Sequence, residues 1–240
     1  MLLSVIEGAL SVPAYPELVG KRVLITGLTR RSGFDIARAF AERRARVILQ
    51  FAEASAAMQA AAEIIAPDAL ETRVFGPVGE GEGAMRFAKS AVQAFGGLDA
   101  VINMVPLETA ALTPTATLED VDRLIAAQLQ LPLLLARIVA NRMSVTWTQG
   151  LILNVATLAG RAGGARRAFA TLAKSALVDM TRGQAEEWAA RGIRFNAIAP
   201  ETAMASPPRL TGEADVASLA LYLASEQGKG LSGCVFEAAA

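Results

Sequence analysis

The 240-residue chain carries 23 Lys+Arg against 23 Asp+Glu, no histidine and a single cysteine, Cys234. Its length suits one α/β domain, and its balanced charge makes neither nucleic acid nor an anionic membrane an expected partner. The missing histidines remove the commonest general base and zinc ligand, so no metal site is expected, and a lone cysteine excludes an intrachain disulfide framework.

Residues 1–17, MLLSVIEGALSVPAYPE, are mildly apolar, but they lack a basic leader and Glu7 interrupts the apolar run. An arm packed on the domain or on a partner is expected there, in a cytoplasmic protein. No uninterrupted apolar run approaches the length of a bilayer span. From residue 18 to 240 the pattern is that of one domain. Strand-like runs KRVLIT, RVILQ, TRVF, DAVIN, GLILNV, IRFNAI and GCVFE alternate with helical patterns near 33–43, 53–65, 82–95, 117–142, 166–190 and 214–224. Crossovers this long predict a parallel sheet with helices on both faces, a three-layer doubly wound α/β fold.

The first strand leads into TGLTRRSGFDIARAF, Thr26–Phe40. A glycine-led turn before a helix is where such folds bind phosphates, because the helix N-terminus offers unpaired N–H groups and partial positive charge. The same pattern also fits a plain strand–helix turn with no ligand. Ser32, followed three residues later by Asp35, predicts a side-chain cap on that helix. Arg30 and Arg31 stand together where a phosphate-binding turn wants glycine. Two cations at a helix N-terminus oppose its dipole, so they either reach solvent or hold a phosphate-type anion.

With LVGKRVLITG, FAERRARVIL, AFGGLDAVIN, TLEDVDRL, LILNVATLAG, LAKSALVDMTR, GIRFNAIAP and ADVASLALYLAS in this order, the chain resembles the short-chain dehydrogenase/reductase family from about Leu18 onward. The resemblance implies a single Rossmann-type domain that assembles as a dimer or tetramer. The family turn T-G-x-x-x-G-x-G, laid on without a gap, gives Thr26, Gly27, Arg31 in the second glycine slot and Gly33 in the third. The second glycine lets backbone approach a pyrophosphate. An arginine there fills that space or offers a guanidinium to a phosphate.

The acid that would hold an NAD ribose is replaced by Phe51, and Arg30 matches a position basic in NADP-preferring members. No dinucleotide is expected to bind tightly, and NADP(H) is favoured over NAD(H). The adenine-contacting pair falls near Gly76-Pro77-Val78. The N-N-A-G run reads Asn103-Met104-Val105-Pro106, which keeps Asn103 as a tentative cofactor contact and loses the glycine. Gly27, Arg30, Arg31, Gly33 and Asn103 form the candidate cofactor set.

The family relays protons through Asn, Ser, Tyr and Lys. Thr157 falls in the Ser slot, the Tyr slot thirteen residues later is Ala170, and the Lys slot four beyond is Lys174. Gln128 stands in the Asn slot, one methylene longer. Losing the positioned hydroxyl removes an acid–base factor of about 10²–10⁴. The two tyrosines, Tyr15 and Tyr222, fall in the arm and on the last long helix. Glu201 replaces a glycine, and residues 201–212 are too few for the usual substrate lid. Thr157 and Lys174 are remnants of the relay.

The segments 117–142 and 166–190 keep the apolar faces that make subunit contacts in the family. The expectation is therefore a catalytically inactive relative, acting as a structural or non-catalytic subunit or a binding protein. It would pair with itself or with an intact homologue. The alternative is an NADP(H)-dependent oxidoreductase interconverting a ketone and a secondary alcohol, with Thr157, Lys174 and a water as an atypical proton source.

Overall fold

Each strand core is apolar almost without interruption, the signature of strands covered on both faces. A computed structural model describes residues 15–29, 32–79, 81–107, 113, 115–158, 164–200 and 213–238. The strands are β1 (Arg22–Leu28), β2 (Arg46–Phe51), β3 (Glu71–Phe75), β4 (Ala100–Leu107), β5 (Leu151–Leu158), β6 (Arg194–Pro200) and β7 (Val235–Ala238). They form one sheet in the order β3-β2-β1-β4-β5-β6-β7, every neighbouring pair parallel. The helices are α1 (Phe34–Glu42), α2 (Ala56–Ile65), α3 (Glu82–Ala94), α4 (Leu118–Ile125), α5 (Leu131–Val145), α6 (Gly164–Trp188) and α7 (Glu213–Ala224). All seven strand-like runs form strands.

The twofold alternation of strand side chains builds two cores. Val23, Ile25, Val47 and Leu49 pack with α1, α2 and α7 on one face. Leu24, Ile48, Val101 and Phe195 pack with α3, α5 and α6 on the other. Phe40 of α1 is fully buried, which stabilises the fold by about 1.5–3 kcal/mol. The order reverses between β1 and β4, because the chain leaves β3 at one edge and returns beside β1. That reversal opens a crevice at the carboxyl ends of these strands, where such sheets bind ligands.

The pattern near 117–142 resolves into two α-helices joined by a π-helical turn, Ala126–Gln130. The uninterrupted helical run Leu118–Val145 is 28 residues long, with a window of mean hydropathy 1.5 of which 33% is buried. By length and composition alone it matches a membrane span, which no stretch of the sequence suggested, because its apolar positions are punctuated by Gln128 and Gln130. In the fold, Leu135, Val139 and Met143 of α5 pack under the sheet.

Candidate functional site

The turn after β1 is held by its own backbone. Thr29 and Ser32 exchange two backbone hydrogen bonds, at 3.2 and 3.3 Å. Their hydroxyls lie 3.1 Å apart. The expected Ser32 cap is not formed. Gly33 occupies the N-cap position with φ 95° and no side-chain cap bond. The tight turn takes the Ser32 hydroxyl for Thr29, and the left-handed backbone at Gly33 carries the chain into α1.

Gly27 and Gly33 are both explained by packing. Gly27 has φ 69°, and a Cβ there would run into the Met104 carbonyl; at Gly33 a Cβ would meet Met104 Cγ at 3.2 Å. Both glycines let β1 and its turn press against β4. Arg30 and Arg31, between Thr29 and Ser32, lie outside the described residues. So do residues 1–14 and 201–212, and with them most of the expected arm, Glu201 and the shortened lid.

At the end of β2 the buried Gln50 acts as a clasp. Its Oε1 accepts the Gly27 N–H at 2.8 Å, and its Nε2 donates to the carbonyls of Phe51 and, at 3.3 Å, Gly76. One side chain therefore joins the exits of β1, β2 and β3. Beside it Phe51 is buried against Phe34, the first residue of α1, with ring centroids 6.2 Å apart. The position where an acid would take ribose hydroxyls is an aromatic pair. The Gly27 N–H is already bonded to Gln50.

Beneath the crevice runs a chain of buried polar side chains. Thr26 Oγ1 donates to Asn103 Oδ1 at 3.1 Å, Asn103 Nδ2 to Asn154 Oδ1 at 3.0 Å, and Asn154 Nδ2 to Thr181 Oγ1 at 3.0 Å. Thr181 donates in turn to the Leu177 carbonyl at 2.8 Å. The strand register places Thr26, Asn103 and Asn154 side by side on β1, β4 and β5. This ladder ties three strands to α6. Asn103 is 1% exposed, and its amide is spent inside the protein. It sits under the crevice floor and ties the ends of β1, β4 and β5 together.

The relay positions lie on α6, on the π turn and at the end of β5. Thr157 is half-buried and pairs in register with Pro106 across β4. Ala170 is 4% exposed and Gln128 1%. A π turn adds a residue to the helix and redirects the side chains there, and Gln128 is the buried member of that turn. Lys174 follows Ala170 by one helical turn and forms an ion pair with Glu237 of β7, N–O 3.6 Å. The Lys174 side chain is 12% exposed and that of Glu237 55%. Tyr222 packs against the α1/α7 core, and Tyr15 lies just before the first short helical turn. Neither brings a hydroxyl to Ala170.

Gln50, Phe34 and Glu237 are absent from the sequence-derived site. Gln50 left one signal, a polar residue closing an otherwise apolar strand, RVILQF. Glu237 left none, because its partner is chosen by the packing of α6 against the last strand.

The model of the family described as short chain dehydrogenase matches residues 21–208. An uncharacterized oxidoreductase of Thermotoga maritima is 31% identical over 183 residues, 76% of this chain and 72% of that protein. Galactitol 2-dehydrogenase of Agrobacterium fabrum is 31% identical over 184 residues, 77% and 71% of the two chains. Among solved structures, a short chain dehydrogenase from Burkholderia cenocepacia in complex with NADP superposes with a TM-score of 0.74 at 23% identity, over 92% of this chain and 97% of that one.

Proposed function

Since the chain belongs to the short-chain dehydrogenase family, whose named relatives include oxidoreductases and dehydrogenases, we propose that it is a catalytically inactive member serving as a structural or non-catalytic subunit or a binding protein. One observation carries this reading. The position of the acid–base hydroxyl is the buried Ala170, and the lysine that would tune that hydroxyl is paired with Glu237. Without a hydroxyl at residue 170 the family's proton donor is missing from its usual place among the described residues. A lysine neutralised by a carboxylate also has less to offer as an electrostatic stabiliser.

The nucleotide half of the crevice supports the same reading. Phe51 packs at a tilt against Phe34 where ribose hydroxyls would need an acceptor, and Gln50 holds the Gly27 N–H. NADP(H) is favoured over NAD(H), with neither bound tightly. Assembly through the α4–α5 and α6 faces suits a subunit role, because only a third of the apolar window in Leu118–Val145 is covered within one chain. The partner is a second copy or an intact relative in the cytoplasm.

The second reading is an NADP(H)-dependent ketone/alcohol oxidoreductase using Thr157, Lys174 and a water. It is favoured by the half-buried Thr157 hydroxyl at the end of β5 and by the NADP bound in the Burkholderia structure. Titration with NADPH and NADH followed by turnover on a ketone panel separates the two. The subunit reading expects binding weaker than micromolar and no turnover. Turnover that disappears in Lys174→Ala would establish the oxidoreductase instead.

A further inference from the structure

β3 is an outer strand of the sheet, and among the described residues no strand covers its far edge. It reads Glu71-Thr72-Arg73-Val74-Phe75. The ladder settles which backbone groups stay open. Arg46 gives its N–H to the Lys21 carbonyl, on the β1 side. By alternation Val47 and Leu49 turn their backbone groups toward β3, where they stand in register with Thr72 and Val74. Glu71, Arg73 and Phe75 therefore spend their backbone groups on β2, and Thr72 and Val74 point theirs outward.

The side chains along this edge are also open. Leu70, just before the strand, is 46% exposed and Val74 50%. Glu71 and Arg73 pair within the chain at 3.2 Å, with both side chains about half in solvent. Thr72 Oγ1 has no hydrogen-bond partner among the described residues. Edge strands are usually guarded against pairing by charge, lysine above all, or by proline. Here the two charges are opposite and two residues apart, so the strand is complementary to itself. About a two-fold axis at Thr72, Glu71 meets Arg73 of a second copy, Leu70 meets its Val74, and Thr72 meets its own twin. The outward backbone of Thr72 supplies the hydrogen-bonded pair on the axis. Glu71 and Arg73 then fall in the closer, non-hydrogen-bonded pairs, where opposite charges attract across the strands. Moving the axis to Glu71 or to Arg73 sets like charges against each other, so the charges select one register.

We propose that the β3 edge is a self-pairing surface, on which a second copy of this chain adds its own β3 antiparallel and extends one sheet through both copies. The contact is short, so pairing is weak and rises with concentration. It lies apart from the α5 and α6 faces and stands whether or not those faces assemble.

Oxidation of Thr72→Cys in a Cys234→Ser background tests the register. A hydrogen-bonded antiparallel pair holds its Cα atoms about 5.5 Å apart, within the range of about 4.4–6.8 Å that a disulfide spans. A covalent dimer is expected. Gly76→Cys in the same background should give none, because this register sets the two copies of residue 76 about 26 Å apart. Added to Thr72→Cys, Glu71→Arg or Arg73→Glu should each slow the linking by about tenfold or more, and the two together should restore it. Circular dichroism of each variant checks that the fold is kept. The proposal falls if Thr72→Cys links no faster than Gly76→Cys, if single charge reversals change nothing, or if the double reversal stays slow. It falls equally if a benzophenone label on Thr72→Cys captures residues 1–14 of its own chain instead of a second copy.

Discussion

The buried ladder Thr26–Asn103–Asn154–Thr181 and the crevice mouth above it share strands and a helix, yet their polar atoms differ in what they bond. In the ladder every partner is another residue of the chain. At the mouth the family's polar groups would find their partners in a cofactor or substrate. There this chain has Phe51 on Phe34 and Ala170 in a buried position, with Lys174 turned to Glu237. A polar residue whose partner lies within the fold cannot be exchanged without orphaning that partner. A residue that serves only a ligand carries no such internal cost. The ladder therefore reads as part of the fold, and the mouth as the part free to change.

The sharpest way to break this contrast is to cut the ladder. Asn103→Leu would leave the Thr26 hydroxyl and the Asn154 Oδ1 buried without partners, and chemical denaturation should show a loss of about 3 kcal/mol. A loss no larger than that of an exposed substitution would return Asn103 to the ligand side of the comparison. Next in size is Gly27→Ala, which combines a left-handed backbone with a Cβ driven into the Met104 carbonyl. A destabilisation of about 2 kcal/mol is expected whether or not NADPH is present. A binding defect on an unchanged stability would mean that the glycine serves a ligand after all.

The foot of the sheet gives a pH-dependent case. Burial works to raise the Asp99 carboxyl, but the Arg22 hydrogen bonds, with the charges of Arg22 and Lys21, outweigh it and hold its pKa below the ordinary carboxylate range. A folded-state pKa below the unfolded one means that the unfolded chain binds the proton first as pH falls. The stabilisation is complete above the ordinary carboxylate pKa of about 3.9 and is lost as acid approaches the folded value. Asp99→Asn should cost about 1–2 kcal/mol at neutral pH and flatten the acid limb of the stability curve. An unchanged acid limb would assign that limb to other carboxylates. The smallest effect is expected at the mouth. Glu237→Gln breaks an ion pair whose acid is half in water, and stability should move by less than about 0.5 kcal/mol.

Much of the architecture was legible because strand and helix periodicities are local. The runs RVLIT, RVILQ and AVIN have too few polar residues to face water, and helices of ten or more residues between them demand parallel strands. The spacing of Thr157, Ala170 and Lys174 is likewise the ground on which they are proposed as the relay positions. What the sequence left hidden depends on partners far along the chain. Ser32 looked like a cap, but the turn gave its hydroxyl to Thr29. The bonds of Asn103 to Thr26 on β1 and Asn154 on β5 likewise have no signature in the sequence around it. The π turn at Ala126–Gln130 has no signature in AAQLQ.

By itself the sequence determined the layer order, the strand cores and the absence of a hydroxyl at residue 170, since these follow from residue type and spacing alone. Only the tertiary structure decided that Gln50 fastens three strand exits and that Glu237 holds Lys174. Each of those depends on distance and desolvation between residues that the chain order keeps apart, and the polar energy of a side chain is fixed by the partner that the fold brings to it.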